Sequence, residues 1–167
     1  MDFRAMAEAV QPEVVAFRRD LHEHPEASFQ EFRTTEQIAK EMDKLGIPYR
    51  RFEPTGLIAE IKGGKPGKTI ALRADIDALS ITEKTGLPFA SKNDGFMHAC
   101  GHDTHAAMLV GAAKVLMQVK DQLCGTVKLL FQPAEEIGRG AKGEYIEDLL
   151  KEIENGYDIV IGSRFVT

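Results

Sequence analysis

Residues 126–131 set Val127, Leu129, Leu130 and Phe131 around a single Lys128, with no alternation of apolar and polar positions. A strand that is apolar on both faces belongs in the middle of a sheet, not at its edge. The chain supplies neighbours for it. Strand-like runs lie at 69–73 and 158–161, with helical patterns at 104–119 and 144–153 between them. Strand, helix, strand, helix, strand from residue 69 onward predicts a three-layer α/β/α sandwich with a mainly parallel mixed sheet. A length of 167 residues suits one domain, residues 1–167, with a real core.

The first part of the chain is more helical. Met6, Val10, Val14, Val15, Phe17 and Leu21 recur with helical spacing, and Pro12 predicts either a helix start or a kink. A second helix carries Ile38, Met42 and Leu45 on one face. Thr34 or Thr35 is its expected cap and Gly46 its stop. Residues 49–53 read as a short edge strand. Residues 57–61 and 69–73 flank a turn rich in Gly and Pro, which predicts an antiparallel hairpin that delivers Asp75 and Asp77 at its end. Residues 78–103 have little periodicity, and loops of that length in compact domains are often functional.

A net charge of −5 offers nothing to nucleic acid or to an acidic membrane surface. No apolar run approaches a membrane span, and no secretory signal opens the chain, so the cytoplasm is the expected compartment. Two cysteines in different settings do not make a disulfide framework, which leaves Cys100 as a thiol or a metal ligand.

Chemistry concentrates in two loops. Met97-His98-Ala99-Cys100-Gly101-His102-Asp103-Thr104-His105 holds three of the five histidines, and Phe131-Gln132-Pro133-Ala134-Glu135-Glu136 follows the apolar strand. Thiolate, imidazole and carboxylate form a ligand set suited to Zn²⁺ and similar ions. Adjacent carboxylates after such a strand are costly to bury without a cation, although a solvated acidic loop is the alternative. Asp75 is a third candidate, placed to orient or tune a ligand, with a cap or turn as its alternative. For Asp77 the cap or turn is the favoured reading. One of His98 and His105 is expected to be structural, and His22 and His24 are expected to be solvated.

Leu21-His22-Glu23-His24-Pro25-Glu26, Leu72-Arg73-Ala74-Asp75-Ile76-Asp77-Ala78-Leu79, His98-Ala99-Cys100-Gly101-His102-Asp103 and the Phe131–Glu136 run together resemble the signatures of one family. It is the amidohydrolase family of hippurate hydrolase, bacterial N-acyl-amino-acid deacylases and plant auxin-conjugate hydrolases, and the likeness extends over about residues 4–142. The resemblance implies a site for up to two divalent metal ions (Zn²⁺, Mn²⁺, Co²⁺ or Ni²⁺) that hydrolyses the amide of an N-acyl amino acid. It also implies Cys100, His102 and Glu136 as metal ligands, Glu135 as general base, and Asp75 as the acid that supports the metal cluster.

Enzymes of that family are longer. They insert a second, smaller domain and return to supply a last histidine ligand, and they carry another in a Gly-x-His-Val setting where this chain has Arg164. A guanidinium has no lone pair to offer a metal. Residues 143–167, with Ile161-Gly162-Ser163-Arg164, resemble instead a helix–strand segment of family-two-type inverting glycosyltransferases. A junction is therefore expected near residue 142. The expected function is that of the N-terminal part of a metal-dependent amidohydrolase. The alternative is a truncated or chimeric α/β protein, with one metal or none and no catalysis. Glycosyl transfer rests on the tail alone, and a Cys100 nucleophile is disfavoured. Apolar surface left where a missing half would pack predicts a homo-oligomer.

Overall fold

A computed structural model describes residues 2–140. The expected helix at 144–153, the strand at 158–161, the junction near 142 and Arg164 lie outside the described residues. Helix α1 spans Phe3–Glu23 and helix α2 Phe32–Leu45. Strands β1 (Tyr49–Arg51), β2 (Leu57–Lys62) and β3 (Lys65–Asp75) follow. Helix α3 (His102–Gln118), a short 3₁₀ turn and strand β4 (Cys124–Gln132) complete the described part.

α1 runs through Pro12 as one helix. The missing N–H leaves the Glu8 carbonyl without a helical partner, and both Pro12 and Glu8 are exposed, so water can take the bond. α2 begins earlier than its threonines suggest. The Glu26 carboxylate reaches the N–H groups of Arg33 and Thr34, at 2.9 and 2.7 Å, and does the capping. Thr35 is turned instead to the loop before β2, where its hydroxyl accepts from the Gly56 N–H. Gly46, at φ +65°, ends the helix as expected.

The sheet order is β1-β2-β4-β3, with β4 antiparallel to β2 and parallel to β3. β4 is thus central, as its unbroken apolar run requires, and the sheet is mixed. The expected β2–β3 hairpin does not form, because β4 lies between the two strands. Gly63 and Gly64 donate to Gly125 and Lys120, and Lys65 donates to Leu123, so the link is bonded to the entry of β4. A Cβ on Gly67 would lie 2.6 Å from the Cys124 backbone, and one on Gly125 would strike the Lys68 carbonyl. These glycines permit a close approach of two backbones, which local sequence reads as a turn.

Leu57, Ala59 and Ile61 of β2, Val127, Leu129 and Phe131 of β4, and Ala74 of β3 face one side of the sheet. Leu21 of α1, Ile38, Ala39 and Met42 of α2, and Ala106, Leu109, Val110 and Ala113 of α3 close over them in a single core. Burial of each large aliphatic side chain there stabilises the fold by about 1.5–3 kcal/mol. On the opposite face Leu130 packs with Phe52 and Ile58. Because β3 and β4 are parallel, with Asp75 opposite Gln132, the loops after both strands emerge at the same edge. No described helix is long and apolar enough to cross a membrane.

Candidate metal centre

The long loop after β3 is tied at its neck. Leu79 and Met97 exchange backbone hydrogen bonds of 3.1 and 3.0 Å, which returns the chain beside the end of β3 just before Cys100 and His102. His102 opens α3 directly after Gly101, whose φ of +107° makes the sharp entry. The loop after β4 arrives from the other strand. One donor atom each from Cys100, His102 and Glu136 lie within 4.8 Å of one another. Asp75, His102 and His105 form a second such group, so the buried His102 belongs to both.

The orientation of His102 is specified. Its Nδ1 donates to the Asp77 carbonyl at 3.0 Å and to the Asp77 carboxylate at 3.1 Å. Nε2 is left facing the acidic loop, 3.6 Å from Glu135. Burial opposes protonation of His102, but the Asp77 hydrogen bond and the charges of Asp77, Asp75 and Glu136 outweigh it and hold its pKa above the usual value. Burial likewise opposes ionisation of Asp77. Hydrogen bonds from His102, from the Ser28 hydroxyl and from the Glu136 N–H reverse the balance, and its pKa lies below the usual range. The turn or cap reading of Asp77 missed this role. The available signal was its position two residues after Asp75 at a strand end.

Asp75 accepts two bonds from Arg73, at 2.9 and 2.7 Å, and lies 4.0 Å from Nδ1 of His105. Burial lowers the pKa of His105, and His102 beside it lowers it further. Oε1 of Glu136 is buried and has no hydrogen-bond partner among the described residues. That oxygen lies 3.8 Å from Nδ1 of His102, and a carboxylate without a hydrogen bond beside a thiol and an imidazole is a donor set that a divalent cation would complete. Neither Cys100 nor Cys124 is in a disulfide.

His22 is buried rather than solvated. Its Nδ1 lies 2.8 Å from Asp103 and its Nε2 3.3 Å from Glu83, and Arg18 adds an ion pair of 2.7 Å to Asp103. The network pins α1 to the first turn of α3, beside His102. His24 is half-buried against the Asp20 carbonyl. His98 is buried with neither ring nitrogen bonded among the described residues, and burial pushes its pKa down to about 4. It stays neutral and packs beside His22, with ring centroids 6.4 Å apart.

Residues 71–166 match the model of peptidase family M20/M25/M40. The chain belongs to that family. The match runs from β3 to residue 166 and so includes the tail after residue 142. An N-acetylcysteine deacetylase of Bacillus subtilis is 54% identical over 77% of this M20 chain and 34% of its own length. An N-acyl-L-amino acid amidohydrolase of Geobacillus stearothermophilus is 41% identical over 98% of this chain and 44% of its own. The crystal structure of the Bacillus subtilis YXEP protein, described as a dinuclear metal binding peptidase, superimposes with a TM-score of 0.81 at 49% identity. That likeness covers 92% of this M20 chain and 43% of the other. The chain thus spans between about a third and less than half the length of these relatives.

Proposed function

We propose that this chain carries the N-terminal half-site of a metal-dependent amidohydrolase that cleaves the amide bond of N-acyl amino acids. The observation that supports it most is the convergence of Cys100, His102 and Glu136 within 4.8 Å, two of them on loops that leave neighbouring parallel strands. The names of the similar deacetylases and amidohydrolases point to the substrate class.

Cys100, His102 and Glu136 would hold a divalent ion, and His105 and Asp75 form a second group with His102. Bound there, one or two such ions would polarise the amide carbonyl and make water easier to deprotonate. Glu135, about a third exposed beside His102, takes a proton from the attacking water and returns it to the leaving nitrogen. Asp75 supports the cluster through His105, with Arg73 fixing one of its oxygens. Asp77 holds the tautomer of His102.

The test is release of free amino acid from N-acetyl and N-benzoyl amino acids by the purified chain with Zn²⁺, Mn²⁺, Co²⁺ or Ni²⁺ added, beside Glu135→Gln. Turnover lost in the variant supports the reading. Bound metal without turnover would favour the second reading, an incomplete site with no catalysis, for which Arg164 is the supporting residue.

A further inference from the structure

Glu31 is fully buried, and no cation neutralises it among the described residues. It stands at the start of α2 but contributes no side-chain cap, because Glu26 does that work. Its two oxygens go elsewhere. Oε2 accepts from the Thr55 hydroxyl at 2.6 Å, and Oε1 accepts from the Ala134 N–H at 2.8 Å. Burial raises its pKa above the usual carboxylate value, so this placement is costly.

Ala134 is where the chain leaves β4 for the acidic pair, and its φ is +55°, a left-handed conformation that non-glycine residues rarely adopt. Its carbonyl accepts from Arg139 and Gly140, which closes the following turn on the same residue. Two residues later the Glu136 N–H donates to the Asp77 carboxylate at 3.0 Å. Buried carboxylates from two separate loops therefore grip the backbone on either side of Glu135. Glu31 is remote in sequence from both, and its hydrogen bonds go to Thr55 and to the Ala134 backbone.

We propose that Glu31 is a positioning residue: its carboxylate locks the left-handed corner at Ala134 and thereby aims Glu135 and Glu136 at the Cys100–His102 pair. This deepens the metal-centre reading and rests on it for its consequence, while the locked corner itself does not depend on any metal. Reach matters more than charge. Gln has the same length and keeps an acceptor for the Ala134 amide, whereas Asp keeps the charge but falls one methylene short.

The experiment compares wild type, Glu31→Gln and Glu31→Asp by two readouts: amide hydrogen exchange at Ala134, and Co²⁺ titration followed by thiolate-to-metal absorption. In Glu31→Asp, Ala134 exchange is expected to quicken about tenfold and Co²⁺ affinity to fall about tenfold, while Glu31→Gln stays close to wild type in both. Thr55→Val, which removes only the other donor, is expected to lower the melting temperature and leave the Co²⁺ spectrum unchanged. Equal exchange at Ala134 in all chains, or equal damage by Gln and Asp, would overturn the proposal. A folded wild type that binds no Co²⁺ would instead sink the metal-centre reading, and Ala134 exchange would still decide the role of Glu31.

Discussion

Asp77 holds His102 twice, through its backbone carbonyl at 3.0 Å and its carboxylate at 3.1 Å, both from Nδ1. The bond sets the tautomer, so Nε2 is the nitrogen presented to the acidic loop. Asp77→Ala should therefore weaken Co²⁺ or Zn²⁺ binding about 10- to 100-fold, with Asp77→Asn intermediate. Competition with a chromogenic chelator measures it. Affinity equal to wild type in both variants would mean that the ring needs no brace.

Cys100 is exposed and lies within 4.8 Å of donor atoms of His102 and Glu136. A thiolate ligand is also the group most open to peroxide. Cys100→Ser is expected to abolish the thiolate-to-Co²⁺ absorption band. Mild peroxide should remove bound metal from wild type, and thiol reductant should restore it. Elemental mass spectrometry of the washed protein reads the metal in each case.

Lys114 of α3 lies 2.8 Å from Glu13 of α1 and 2.9 Å from Glu41 of α2, with its side chain and that of Glu41 both about nine-tenths buried. Burial works against ionisation of Glu41, but Lys44 and Lys114 outweigh it and hold its pKa below 4.5. A depressed carboxylate pKa contributes stability above 4.5 that is lost as pH falls through the lower folded value. Thermal melts of wild type and Glu41→Gln should thus differ at neutral pH and converge in acid. Lys114→Met, which strips both carboxylates of this partner, is expected to cost about 1.5–3 kcal/mol at neutral pH.

Gly125 has φ +87°, and an added Cβ would collide with the Lys68 carbonyl, whereas a Cβ on Gly138, at φ +64°, would meet nothing within 4 Å among the described residues. Gly138→Ala should cost about 1 kcal/mol, for the left-handed backbone alone. Gly125→Ala carries the same strain plus a backbone clash between β3 and β4. It should cost several times as much, measured by urea denaturation. Equal midpoints would show that the strands can part without penalty.

Much of the helical layer was legible. Ile38, Met42 and Leu45 repeat at helical spacing, and Gly46 stops them, so α2 could be drawn from its own residues apart from its first turn. The first turn was misplaced because the cap comes from Glu26, across an intervening loop. The ligand candidates were legible from chemistry, since a thiol, an imidazole and paired carboxylates are rarely gathered for packing alone. Asp77, His22 and Glu31 were not. Each carries ordinary side-chain chemistry, and its importance comes from a partner 25 to 103 residues away.

The sequence by itself determined that β4 lies at the centre, because four apolar residues around Lys128 leave no face for water. It also determined which residue types could hold a cation. Only the tertiary structure decided that β4 enters between β2 and β3, since Gly63, Gly64 and Gly67 look alike whether they turn a hairpin or admit a passing backbone. It likewise decided which carboxylates lie beside Cys100 and His102 and which are bonded to the backbone or ring of their neighbours. Periodicity is local and survives in the chain as written, whereas strand order and hydrogen-bond partners are properties of distant segments that meet only on folding.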